Sequence, residues 1–152
     1  MAMLSESELQ VRFKEHLFAY RFAEAYQLLE YEVKKNQLVR FLHQVTEEHT
    51  GLLSYTFINF VLAQESSAFW HRAAAYLAAE SLVGYKLGNH VGLYHILQAI
   101  ALDPEDWLLK EYALSFYDKG LLANPLAQEL AEEVLRHEPF NRLALRIVGK
   151  PI

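Results

Sequence analysis

Seven histidines carry most of the chemical scope of this chain: His16, His43, His49, His71, His90, His95 and His137. A zinc site built on one helix uses two histidines a turn apart, and no His-x3-His pair occurs. A di-iron bundle uses Glu-x2-His, and that pair is missing too. His43 and Glu47 stand one turn apart, with Glu48 and His49 beside them. The run Glu47-Glu48-His49 reads as a solvated helix end, so no metal is expected. With no cysteine there is no thiolate ligand, cysteine nucleophile or disulfide framework. Glycine-rich phosphate loops and the Gly-x-Ser-x-Gly elbow are absent. Asp103, Glu105 and Asp106, like Glu132 and Glu133, read as cap charges and solvated helix face. Catalysis would be left with a pocket between the third and fifth helices, using His43, His71 or Tyr55. No cofactor and no catalytic residue are expected.

The elements that would position these side chains are helical. The chain has 152 residues, 53% of them hydrophobic, with 22% charged, six glycines and four prolines. That suits one folded domain with a core and excludes disorder. Period-2 alternation is nearly absent, whereas apolar residues recur at helical spacing. Ser5 with Glu8 forms a capping-box pattern before Leu9, Phe13 and Leu17. Phe22, Ala25, Tyr26, Leu29 and Val33 mark a second helix, with Lys34 and Lys35 in its last turn and Asn36 as its stop. Leu38, Phe41, Leu42 and Val45 mark a third, ending near Thr50-Gly51. The fourth, about 52–64, is apolar all round and should be covered on most sides. The fifth spans about 68–87, with Gly88-Asn89 as its end, and the sixth about 90–102. The seventh opens at Pro104-Glu105-Asp106 and closes at Lys119-Gly120. Asn124 as N-cap and Pro125 open the eighth, which Pro139 stops. The ninth is 141–148. Phe13, Phe18, Phe22, Phe41, Phe57, Phe60 and Phe116 are expected in the core. The expected fold class is therefore all-α: an antiparallel array of helix hairpins, about nine helices, in a single domain over 1–152.

An internal repeat appears in the second half. Ala99-Ile-Ala-Leu-Asp103-Pro104 aligns with Val134-Leu-Arg-His-Glu138-Pro139, at an offset of 35 residues. Small residues precede each proline: Gly92 and Ala99 in one helix, Ala127, Ala131 and Val134 in the other. Ala113, Phe116 and Gly120 stand between them as small residue, aromatic and turn glycine. Mainly over residues 70–148 the chain thus resembles the tetratricopeptide repeat, helix pairs of about 34 residues, with 66–149 as the TPR-like helix pairs. Residues 1–65 form divergent N-terminal helices. The resemblance implies a TPR-like α-α superhelix whose ligand groove is built from helix-A positions. Carried over, those are Trp107, Lys110, Leu114, Tyr117 and Asp118, with Ser81 and Tyr85 in the preceding pair.

The partner this implies is a protein or a peptide, bound by an adaptor or scaffold module without catalysis. Two other readings of the same features are an immunity- or antitoxin-like inhibitor of bacterial type, and a self-associating structural protein with a homodimer interface over Leu53 and Phe57. The net charge of -5 and scattered lysines and arginines give no basic stripe, so no nucleic acid is expected. The uncharged run 51–64 is shorter than the roughly 20 apolar residues that span a bilayer, so no membrane is expected either. The first ten residues lack the pattern of a secretion signal, and a cytoplasmic location follows as the expectation.

Overall fold

The structure, a computed structural model, describes residues 4–31, 34–49, 51–82 and 87–151. Among these it is all-helical, with nine α-helices and no strand. The helices are α1 (Glu6–Phe18), α2 (Phe22–Tyr31), α3 (Lys35–Glu48), α4 (Gly51–Gln64), α5 (Ala68–Tyr76), α6 (Gly88–Leu102), α7 (Trp107–Leu114), α8 (Asn124–His137) and α9 (Arg142–Ile147). A π-helical turn, Leu77–Ser81, extends α5.

Local chemistry sets most boundaries. Ser5 Oγ accepts the Glu8 N–H at 3.3 Å, and Glu8 Oε2 accepts the Ser5 N–H at 2.8 Å. This reciprocal pair closes the start of α1 and holds the Glu8 carboxyl below its ordinary value. Asp106 Oδ1 accepts the Leu108 N–H at 3.0 Å, and Asn141 Oδ1 accepts the Ala144 N–H at 3.0 Å, capping α7 and α9. Gly120, at φ +71°, ends the turn after α7, where a left-handed residue lets the Leu121 N–H reach back to the Phe116 carbonyl at 3.3 Å.

Several boundaries differ from expectation. Lys34 and Lys35 open α3 rather than close α2, because Gln37 Oε1 accepts the Lys34 N–H at 3.0 Å. Asn36 consequently lies inside α3, and Gly51 begins α4 instead of ending its predecessor. The α-helical part of α5 stops at Tyr76, and Gly88 starts α6. Residues 104–106 form a turn outside α7, with Asp106 as its cap. That helix ends at Leu114, since Ser115, Phe116 and Tyr117 donate to carbonyls three residues back, which tightens the chain into turns. Ala123, not Asn124, occupies the cap position of α8, with Pro125 in the first turn. Phe18 sits one residue off the buried Leu9–Phe13–Leu17 stripe and is 42% exposed, edge-on to His49 at 4.8 Å. On α4, Leu52 is exposed while Phe57 is fully buried, so Phe57 belongs to this chain's own core and offers no surface to a second copy.

Two apolar cores meet along α5. The first gathers Phe13, Phe41, Phe57 and Trp70 from α1, α3, α4 and α5, with Phe13 and Phe57 edge to face at 5.4 Å. Burying each such ring contributes about 1.5–3 kcal/mol. The second gathers Ile96, Leu109, Leu114, Phe116, Leu130 and Val134 from α6 to α8. Ala74 packs in the first and Ala75 in the second, so one turn of α5 serves both.

The two acid-proline ends share a backbone geometry. Asp103 ends α6 at φ -138°, ψ 77°, and Glu138 ends α8 at φ -128°, ψ 82°. Four of the five buried positions of α6 (Gly92, His95, Ile96, Ala99) map onto those of α8 (Ala127, Leu130, Ala131, Val134) at the same offset; the fifth, Gly88, falls on exposed Ala123. His95 therefore fills a slot that the second copy fills with leucine.

Candidate functional site

The helix faces that the cores leave over define a cleft of about 430 Å³ between α3, α5 and α7. It is lined by Asn36, Val39 and His43 from α3, by Phe69, Arg72, Ala73 and Tyr76 from α5, and by Tyr112 from α7. The α5 set falls at i, i+3, i+4 and i+7, one helical face, while Trp70, His71 and Ala74 take the buried face. Tyr76 is 46% exposed, and His43 meets its ring edge-on at 4.8 Å. Burial holds the His43 imidazole below its ordinary pKa, with Glu47 opposing, which favours the neutral ring. Arg72 enters none of the ion pairs among the described residues. On its far side a smaller depression, about 160 Å³, is walled by Asp103 and Asp106. The cleft thus offers aromatic surface and one guanidinium, with two carboxylates beyond it.

Trp107, Lys110, Leu114, Tyr117 and Asp118, carried over from the repeat, are not among the described residues that line this cleft. Lys110 is 8% exposed and turns toward α8, where its ammonium pairs with Glu133. Leu114 is fully buried in the second core. Trp107 stacks flat on His137, with ring centres 5.5 Å apart and planes 6° apart, joining the start of α7 to the end of α8. Tyr117 is half-buried against the second core. Asp118 takes both its oxygens to Arg146 at 2.7 Å, at the edge of a depression on α9. Ser81 falls in the π turn, where only its backbone is described, and Tyr85 lies outside the described residues. Lys110 and Leu114 are therefore closed off from solvent, because that face of α7 packs against α8 and the second core.

The histidine reading fares differently. His43 lines the cleft, whereas His71 and Tyr55 belong to a separate polar chain, buried at its two imidazoles and ending at the exposed Ser66. Tyr55 Oη lies 2.9 Å from His95 Nε2, His95 Nδ1 lies 3.0 Å from His71 Nδ1, and His71 Nε2 lies 3.2 Å from Ser66 Oγ. Burial lowers the pKa of His71; burial and then the His71 neighbour lower that of His95 to about 4. Among the described residues no three His, Asp or Glu side chains gather as a metal-binding group. His43 and His49 in fact turn to different rings, Tyr76 and Phe18. No described helix is long and apolar enough to cross a membrane.

Sequence reasoning reached His43 and a pocket between the third and fifth helices, but not the aromatic and arginine lining that α5 and α7 supply. The second stripe on α5, Phe69, Arg72, Ala73 and Tyr76, is its signal. The histidine chain joins residues 24 and 40 apart on three helices, so spacing within a helix could not reveal it. The chain matches no family model, no curated protein and no solved structure.

Proposed function

We propose that the protein is a peptide- or protein-binding module of helical-repeat type, and that its ligand lies in the α3–α5–α7 cleft. One observation supports this reading above the others: a cleft of about 430 Å³ that combines Phe69, Tyr76 and Tyr112 with Arg72, a guanidinium outside every ion pair among the described residues. Ligand sites are concave, mostly apolar, and oriented by a few polar groups. Aromatic rings and arginine are also the side chains that dominate binding energies at interfaces. The ligand chemistry that suits them is a segment with an aromatic or apolar side chain for the rings and one carboxylate for Arg72. Asp103 and Asp106 beyond Arg72 disfavour a run of acidic residues, since the second carboxylate would meet like charge.

The test is selection of peptides from a random display library on the immobilised full chain, with affinities then read by fluorescence anisotropy. Selected peptides should share an aromatic residue near an Asp or Glu. Arg72→Glu should weaken them at least about tenfold, or 1.4 kcal/mol, without moving the melting temperature. Failure to select any peptide, or equal binding by Arg72→Glu and Tyr76→Ala, refutes the assignment. Lys110→Glu is not a clean probe of the cleft, because it places two carboxylates together at the half-buried Glu133 contact.

A further inference from the structure

The seam between the two cores is polar at one place. Tyr55 comes from α4, His71 from α5 and His95 from α6, and Ser66 from the turn before α5. His95 is 3% exposed and His71 8%. Three hydrogen bonds join the four side chains in line. With both rings neutral, Tyr55 donates to His95 Nε2, His95 Nδ1–H to His71 Nδ1, and His71 Nε2–H to Ser66 Oγ. The reverse direction works equally well. Either way the bond between the imidazoles needs one bare nitrogen, so it survives one proton but not two.

We propose that the Ser66–His71–His95–Tyr55 chain is an acid-operated latch: protonation of its two imidazoles breaks the bond between them and releases α6 from α4 and α5, parting the cores. This inference stands apart from the peptide reading.

Three observations support it. First, His95 occupies the slot that the repeat fills with Leu130, which is 4% exposed. A leucine would pack there without any polar demand, so the histidine introduces a titratable contact where the fold does not require one. Second, the groups that face the rings cannot absorb a second charge. Tyr55 comes from α4, Ser66 from the preceding turn, and Tyr94 meets His95 edge-on at 5.1 Å. Glu65, next to Ser66, is taken by Lys35 and Tyr26. Among the described residues no carboxylate oxygen lies within 4.0 Å of a nitrogen of either ring. Two buried imidazolium ions 3.0 Å apart at Nδ1 have no counter-ion. Third, the seam is already held by unusual backbone. The π turn lies beside α6, and Gly88 and Gly92 let the two come close. A hinge of that kind gives way locally before either core does.

His95 held at about 4, against about 6.5 when released to water, raises the opening equilibrium about 20-fold between pH 7 and pH 5. Hydrogen exchange on the full chain reads this directly, after correction for the intrinsic pH dependence of exchange. Amides of α6 around Ile96 to Ala99 should lose protection about 20-fold over that range, while those of α8 around Leu130 to Val134 change far less. The double variant His71→Gln/His95→Leu should abolish the difference, and His90→Gln, on the exposed side of α6, should leave it intact. A change under about threefold in the parent chain overturns the latch. So does an undiminished response in the double variant, or its loss in His90→Gln. If the double variant is unfolded at pH 7, His95→Gln alone decides: an unchanged response overturns the proposal and a lost one supports it.

Discussion

Replacing Gly88 with alanine should destabilise the fold, although alanine is the better helix former. A Cβ at Gly88 would lie 2.7 Å from the Leu82 carbonyl oxygen and 2.8 Å from that of Ala78. Both are backbone atoms, so no side-chain rotation relieves the contact. The propensity gain of alanine over glycine is about 1 kcal/mol in a helix interior and less at the first helical residue, which Gly88 is. Overpacking costs about 1–3 kcal/mol, and α6 must lift from the π turn to make room. The clash wins by about 2 kcal/mol, a fall in melting temperature of about 4–8 °C for a chain of this length. Thermal unfolding followed by circular dichroism at 222 nm, at fixed protein concentration and pH 7.5, reads it. Gly92→Ala meets Ala79 Cβ at 3.0 Å, the Ala75 carbonyl oxygen at 3.2 Å and Phe116 at 3.2 Å, all longer than the contacts at Gly88, so its loss should be smaller. Gly120→Ala meets nothing but forces φ +71° on an L-residue and should cost about 1 kcal/mol. A Gly88→Ala protein that melts at or above the parent temperature would refute the seating of α6 on α5.

Other perturbations follow from the same packing. Because the folded pKa of His95 lies below its unfolded value, its contribution is fully present above about pH 6.5 and lost as pH falls toward 4. Urea unfolding should therefore show stability falling by about 2 kcal/mol between pH 7 and 5 and about 3 kcal/mol by pH 4, and His95→Leu should flatten the first of these. Lys110→Ala should cost about 2 kcal/mol, because it removes the buried stem and strands Glu133, while Lys110→Met, which keeps the stem, should cost less; urea midpoints compare them. Asp106→Ala removes the α7 cap and should cost about 1 kcal/mol by the same assay. Asp118→Asn breaks an exposed pair with Arg146 and should change the urea midpoint by no more than about 0.5 kcal/mol.

Helix number and class were legible because most helices carry a period of their own, and end signals such as Ser5 and the glycine at 120 act within a few residues. Boundaries failed where a tertiary contact or a competing cap decided them. Lys34 is a poor helix opener by type, but the Gln37 side chain supplies its missing partner. The α-helix of α5 stops at Tyr76 because its continuation is a π turn against Gly88, a fit between residues ten apart that no local period records. The two acid-proline helix ends were legible, and their dihedral angles agree to within about 10°. The groove positions were not, since matching Trp107, Lys110 and Leu114 to a pattern says nothing of which way α7 rolls. The stack on His137 and the pair with Glu133 roll it into α8.

The comparison of His95 with Leu130 separates stability from specification. A leucine at 95 would bury its side chain at no polar cost, whereas the histidine is stable there only while His71 and Tyr55 complete its hydrogen bonds. Those bonds fix the rotation of α6 against both α4 and α5, which an apolar contact leaves freer. The α3 wall of the cleft belongs to the first core and Tyr112 packs on the second, so the rotation of α6 also sets the spacing across the cleft. A chain in which the seam is repacked with leucine should then be more stable at low pH and less uniform in the geometry of Tyr76 against Tyr112. Tyrosine ring resonances of the His71→Leu/His95→Leu variant would show this as broadening confined to those two side chains; sharp, unshifted resonances would mean that apolar packing alone fixes the seam.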